Sequence, residues 1–220
     1  PLREFDVLGI TLQTELTYTN VLELLSAAEI SLHASDRSDS EPVVLAGGPC
    51  AANPLPLVPF FDAFLIGEGE EAIAEIAEVI KLYSPRNSSG FKRMDLLKKL
   101  SEIKGVYVPA VHAELMKTDP NLKIEIRKYD DFTLNQKTHK PQLLPWQLAT
   151  HNRYVAEIMR GCTRGCRFCH AGYFYRPVRE RNPEDILDDL LAETKKCGWE
   201  EAGLISLSSS DYTCIKPLLE

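Results

Sequence analysis

Short apolar runs that stop at glycine, each followed by a stretch with helical spacing, are the feature that most constrains this 220-residue chain. Residues 5–11 (FDVLGIT), 43–46 (VVLA) and 64–66 (FLI) read as strands; the last two end at Gly47-Gly48-Pro49 and Gly67-Glu68-Gly69-Glu70. Residues 21–28 read as an apolar helix, with Asn20 and Glu23 as a capping pattern at its start. Residues 53–61, with three prolines, read as a loop and short helix. Beyond Gly69, the residues Ile73, Ile76, Ala77 and Ile80 share one helical face. Strands alternating with helices imply a parallel sheet, so residues 1–83 are expected to form a Rossmann-like α/β domain. Ligands of such sheets bind beyond the C-terminal ends of the strands. Gly47, Gly48, Gly67 and Gly69 fall there, serving either tight strand-to-helix turns or the lining of a bound cofactor.

Residues 84–150 read as a linker subdomain: a polar loop SPRNSSG, a short amphipathic helix over 95–103, a strand over 105–109 and an edge strand over 123–128. Residues 141–146 then lead into the last segment. His112, His139 and His151 are expected at the surface or in helix caps rather than as ligands.

The last segment, 151–220, carries the chemistry. Cys162, Cys166 and Cys169 stand in the string RGCTRGCRFCHAGYFYRP with spacing C-x3-C-x2-C. Three thiolates on one tight loop can hold three corners of an iron–sulfur cluster, whose usual complement is four cysteines. A compact set of three therefore leaves one iron open to a substrate or cofactor. Zinc is the competing reading, with His170 available as a fourth ligand, but no second C-x2-C lies elsewhere in the chain. A ferredoxin-type site would need a further cysteine at a fixed offset; Cys197 and Cys214 lie at the ends of an expected helix and strand and read as buried thiols without a role. Six cysteines are too sparse for a disulfide framework.

Residues 154–159 (YVAEIM) read as a buried strand running into the cysteine loop, and Gly161 and Gly165 supply its small-residue turns. Asn182-Pro183-Glu184-Asp185 is a strong helix start. The apolar face is Ile186, Leu187, Leu190 and Leu191, and Gly198 supplies the stop. A second strand is expected over 202–207, followed by Ser206, Ser208, Ser209, Ser210 and Asp211 at its C-terminal end. Strand, cysteine loop, helix, strand is the opening of a (β/α) barrel, where chemistry gathers at the C-terminal ends of strands. The Ser/Asp cluster there either caps a helix or offers acceptors to an ammonium group.

Composition bounds the remainder. No apolar run approaches the roughly 20 residues that span a bilayer. Free cysteines in a cluster pattern suit a reducing compartment, so a cytoplasmic location is expected. A formal net charge of −7 argues against a nucleic-acid surface over the whole chain. A local one is left open, because Arg160, Arg164, Arg167, Arg176, Arg179 and Arg181 crowd the cysteines, either offsetting cluster charge or meeting an anionic substrate.

The cysteine string and the segments LAGGP and FLIGEGEEAI together resemble the family of bacterial B12-binding-domain radical S-adenosylmethionine (SAM) proteins. The resemblance implies a truncated cobalamin-binding-type domain followed by the start of a radical SAM partial barrel, the chain being a fragment of a longer polypeptide. It implies a 4Fe-4S cluster on Cys162, Cys166 and Cys169 with SAM on the open iron. Phe168 would then lie beside the adenine, and Ser208, Ser209, Ser210 and Asp211 would replace the family's Gly-Gly-Glu motif at the SAM amino group. Cobalamin is a candidate cofactor beside Gly47, Gly48, Gly67 and Gly69. The cobalt-ligating Asp-x-His-x-x-Gly string is absent here, and His33 in SLHASD lacks both its acid and its glycine.

The expected activity is reductive cleavage of SAM to a 5′-deoxyadenosyl radical, with flavodoxin or ferredoxin as reductant and an unknown substrate. With cobalamin bound, methyl transfer or ring rearrangement becomes accessible. Methylthiolation would need a second cluster, which Cys50 alone cannot hold. Two other classes stand beside this reading: a non-catalytic electron-transfer module, and a zinc-stabilised RNA- or ribosome-associated binding protein.

Overall fold

The structure is a computed structural model; residues 1–83, 92–129, 132–133, 144, 146–147 and 150–220 are described below. It divides into two compact units, Pro1–Tyr129 and Asp130–Glu220. The SPRNSSG loop, His139 and most of the 141–146 lead-in lie outside the described residues.

The first unit is built on a four-stranded sheet. Strands β1 (Val7–Thr11), β2 (Val43–Gly47) and β3 (Ala63–Leu65) run parallel, and β4 (Val106–Tyr107) closes the order β1-β2-β3-β4 antiparallel to β3. Val43 to Ala46 and all of β3 are buried, the pattern of parallel strands covered on both faces. Among the described residues, four α-helices accompany the sheet: α1 (Tyr18–Ala27), α2 (Ala72–Tyr83), α3 (Arg93–Ser101) and α4 (Pro109–Thr118). Ala72, Ile76 and Ile80 of α2 and Leu96, Leu97 and Leu100 of α3 pack with Val43, Leu45, Ala63 and Leu65 into one core.

Several local expectations give way to packing. Helix α1 starts three residues early, with Thr17 as its N-cap, so Asn20 sits inside the helix and caps nothing. On α2 the buried stripe is Ala72, Ile76 and Ile80, while Ile73 is 55% exposed and Ala77 also faces out. The expected strand over 105–109 shrinks to β4, because Pro109 takes the first position of α4, where its missing N–H costs nothing. His112 is buried rather than at the surface, and its Nδ1 accepts from the Val108 amide at 3.0 Å, capping α4. The edge strand over 123–128 reduces to one bridge, Gly67 with Arg127.

A buried charge network knits the N-terminal edge of this sheet. Asp62, just before β3, accepts from Arg37 at 2.8 Å, from Arg93 at 2.7 Å and from the Val44 amide at 2.8 Å. The arginines also donate to backbone carbonyls, Arg37 to Phe60 and Arg93 to Glu41 and Pro42 among them. Burial would raise the Glu41 carboxyl, but the amides and hydroxyls of Ser31 and Ser38 more than offset it and hold it down at about 2.

Among its described residues, the second unit holds two small sheets. Strand β5 (Tyr154–Glu157) pairs in parallel with β8 (Ala202–Ile205), from Tyr154↔Ala202 to Glu157↔Ile205. Strand β6 (Met159–Arg160) pairs antiparallel with β7 (Arg179–Glu180). A short helix α5 (Ala171–Phe174) lies between β6 and β7, α6 (Pro183–Cys197) links β7 to β8, and α7 (Ile215–Leu219) follows. Helix α6 begins as its sequence requires: Asn182 accepts from the Glu184 amide at 3.1 Å and Pro183 takes the first turn. It ends on Gly198 in the left-handed region, φ +70°. Ile186 is fully buried with Tyr154, Ala156, Ile158, Met159 and Tyr212, worth roughly 1.5–3 kcal/mol of apolar burial. The expected apolar face is only half used, since Leu187 and Leu191 are 46% and 61% exposed.

Candidate functional site

The cysteine loop grows from the C-terminal end of β5. After β6, Gly161 turns with φ +83°; a Cβ there would lie 2.8 Å from the Pro177 carbonyl oxygen and 2.9 Å from that of Tyr175. Only glycine fits, because two backbone strands meet at this point. The β6–β7 ladder closes residues 161–178 at their base, and the three cysteines are carried on that excursion. Gly165 turns the tip with φ +64°, and the Tyr173 hydroxyl braces it by donating to the Gly165 carbonyl at 3.0 Å.

Cys162 is buried, Cys169 half-buried and Cys166 exposed, and none is in a disulfide. Two sulfurs already receive backbone donors at 3.4 Å: Cys162 from the Arg164 amide and Cys169 from the Gly172 amide. Amide-to-sulfur hydrogen bonds of this kind tune cysteine-ligated clusters. Among the described residues, no three His, Cys, Asp or Glu side chains gather as ligands of a single ion. A four-iron cluster attaches each thiolate to a different iron, so its cysteines need not converge on one point. Donor type, loop closure and sulfur-directed amides thus fit a cluster on this loop. His170, the candidate fourth zinc ligand, stacks on Phe174 with centroids 5.5 Å apart. Phe168 stands 92% exposed.

The serine loop leaves the C-terminal end of β8, which runs parallel to β5, so both loops emerge at the same end of the strand pair. Ser209–Asp211 form a single 3-10 turn. Ser206 and Ser209 share a hydrogen bond of 2.9 Å, and the Ser208 hydroxyl donates to Asp211 at 2.7 Å. The helix-capping alternative fails here: α7 begins after Cys214, with no side-chain cap. Arg164 donates to both oxygens of Asp211, and its guanidinium holds the Asp211 carboxyl below the usual range. Tyr212 anchors the loop, its buried hydroxyl donating to the Arg181 carbonyl at 2.8 Å and pushed up to about 12 by burial.

Most of the surrounding arginines have partners within the protein. Arg160 pairs with Glu157 at 2.9 Å and stacks over Phe132, Arg181 pairs with Asp189 at 2.6 Å, and Arg176 stacks over Tyr173. Neither Cys197 nor Cys214 is fully buried as expected; both are half-buried, and Cys214 precedes α7 rather than ending a strand.

In the first unit the four glycines separate into two pairs. Gly48 (φ +89°) is required because a Cβ would lie 2.9 Å from the Leu12 carbonyl oxygen. Gly67 (φ +124°) is required because the Arg127 backbone passes over it, its amide nitrogen 2.6 Å from where a Cβ would sit. That strand end is therefore covered by Arg127, whose guanidinium pairs with Glu71 and Glu75, and a lining role for Gly67 gives way to a structural one. Gly47, at the end of β2, faces open space, and Gly69 makes ordinary contacts. Nearby Cys50 is buried beside Tyr18 and Glu15, and burial pushes its thiol up. His33 lies against Phe60, ring centroids 5.2 Å apart.

Tyr173 and Tyr212 escaped sequence reasoning, and Arg164 was legible only as one of the arginines around the cysteines, its partner Asp211 lying 47 residues away.

Residues 1–109 match the family described as radical SAM proteins, N-terminal. An uncharacterised protein of Methanocaldococcus jannaschii is 28% identical over 99% of this chain and 41% of its own length. Two structures of the radical SAM methyltransferase TsrM from Kitasatospora setae share the fold. One holds cobalamin and a 4Fe-4S cluster (TM-score 0.58), the other tryptophan and a SAM analogue (TM-score 0.57). Both are 14% identical over 99% of this chain, which spans 41% and 40% of their lengths. The chain thus spans about two fifths of the relatives that it matches, and residues 1–109 carry its match to the N-terminal region of radical SAM proteins.

Proposed function

We propose that this chain supplies the cofactor-binding part of a radical SAM enzyme, with Cys162, Cys166 and Cys169 holding a 4Fe-4S cluster. The observation that carries this is three free thiols on one glycine-turned loop at the C-terminal end of β5, beside a polar loop at the same end of β8. When bound, such a cluster offers an open iron to SAM and one electron to break its sulfonium. The chain's own residues do the holding. Gly161 and Gly165 let the backbone turn so that one short loop carries all three thiols, while the Arg164 and Gly172 amides would offset charge on the sulfurs. Ser208 and Asp211, with Ser209 and Ser210, present hydroxyl and carboxylate acceptors to the SAM ammonium, and Phe168 is free to cover the adenine.

Cobalamin, held by TsrM, is proposed at the C-terminal edge of β1 and β2, where Gly47 leaves open space. Methyl transfer is then the reaction class that the fold likeness favours. A small redox protein such as flavodoxin or ferredoxin would deliver the electron, and a reducing, cytoplasmic setting would keep the thiols free. Among the described residues no helix is long and apolar enough to cross a membrane.

The test is anaerobic reconstitution with iron and sulfide, followed by EPR of the reduced chain with and without SAM. A 4Fe-4S signal that changes on addition of SAM and is lost in Cys166→Ala supports the reading. A cluster indifferent to SAM would point to electron transfer instead. One zinc per chain without iron would overturn the cluster.

A further inference from the structure

One ion pair joins the cysteine loop to the serine loop. Arg164, between Cys162 and Cys166, donates through Nε to Asp211 Oδ2 at 2.6 Å and through a terminal nitrogen to Oδ1. Ser208 Oγ donates to the same Oδ2 at 2.7 Å. We infer that Arg164 is a positioning residue: its two-pronged grip on Asp211 sets where the cysteine loop stands relative to the end of β8, and hence where a cluster on that loop meets a ligand held at Ser208–Asp211. The inference deepens the cluster reading above and rests on it.

Geometry supports the assignment in three ways. A guanidinium bonded to both carboxylate oxygens fixes orientation as well as distance, which a lysine at the same place cannot do. Arg160 and Arg181 ion-pair with carboxylates 3 and 8 residues away, whereas Arg164 reaches 47 residues along the chain. Asp211 also retains capacity. A carboxylate offers about four acceptor sites, and Arg164 and Ser208 take three, leaving one on Oδ1 for an ammonium donor without releasing Arg164.

Arg164→Ala, Arg164→Lys and Asp211→Asn test it in the reconstituted chain. Without metal, amide exchange over 162–169 is expected to quicken about two- to tenfold in the Ala and Asn variants, with Lys between wild type and Ala. With the cluster, the reduction potential should move in opposite directions. Losing the cation removes charge that offsets the added electron and lowers the potential, whereas losing the anion raises it. Merely structural loosening would move both the same way, and that result, or unchanged exchange, would overturn the inference. A wild-type chain that takes up no iron would sink the cluster reading instead, and the exchange arm would still decide whether Arg164 holds the loop.

Discussion

Replacing Asp62 with alanine should cost the first unit about 3–5 kcal/mol, the range for breaking a buried ion pair from one side. The Asp62 side chain is 1% exposed, and its two oxygens receive the Val44 amide, Arg37 Nη1, and Arg93 Nε and Nη2. Arg37 and Arg93 are 0% and 8% exposed at their side chains, so alanine leaves two guanidiniums buried without the carboxylate that both are bonded to. Both are fixed in place by backbone carbonyls and cannot swing out to water without orphaning those acceptors. Asp62→Asn keeps one acceptor oxygen and should lose less. Urea unfolding at neutral pH, followed by circular dichroism, reads the loss as a midpoint lowered by about 2 M for a slope near 2 kcal/mol/M. Both tryptophans, Trp146 and Trp199, lie in the second unit, so a transition that moves in circular dichroism but not in tryptophan fluorescence localises the effect. A loss under about 1 kcal/mol would refute the argument, showing that water reaches the guanidiniums once the carboxylate is gone.

Glu41 titrates at about 2 when folded against 4.5 ordinarily, so its contribution is complete above about pH 4.5 and is lost as pH falls toward 2; Glu41→Gln should flatten the acid limb of stability over that window. Gly161→Ala should destabilise the second unit by about 2–4 kcal/mol, from a strained left-handed residue and two displaced carbonyls, and reduce iron uptake; wild-type melting and iron content would contradict it. Asn182→Ala removes the cap of α6 and should cost about 0.5–2 kcal/mol, read by thermal unfolding, while Asn182→Asp should largely retain it.

Sequence alone determined what depends on neighbours along the chain. The β-α-β order, the Asn182 cap, the Gly198 stop and the turns at Gly161 and Gly165 all rest on local backbone chemistry, and each appears where the string places it. The three cysteines share one loop because their spacing allows little else. Tertiary structure decided what depends on neighbours in space. Which face of α2 is buried turned on where the sheet and α3 lie, and the periodicity of AIAEIAEVI admits both Ile73 and Ile76. Pro109 opens a helix rather than ending a strand, and the buried His112 one turn on accepts from the Val108 amide at its start. Gly67 is glycine because Arg127, 60 residues on, lies across it, and Asp211 meets Arg164 only because β8 pairs in parallel with β5. Local spacing specifies dihedral angles and periodicity, but a long-range contact is specified only once both partners have been brought together, and the sequence carries no adjacent mark of it.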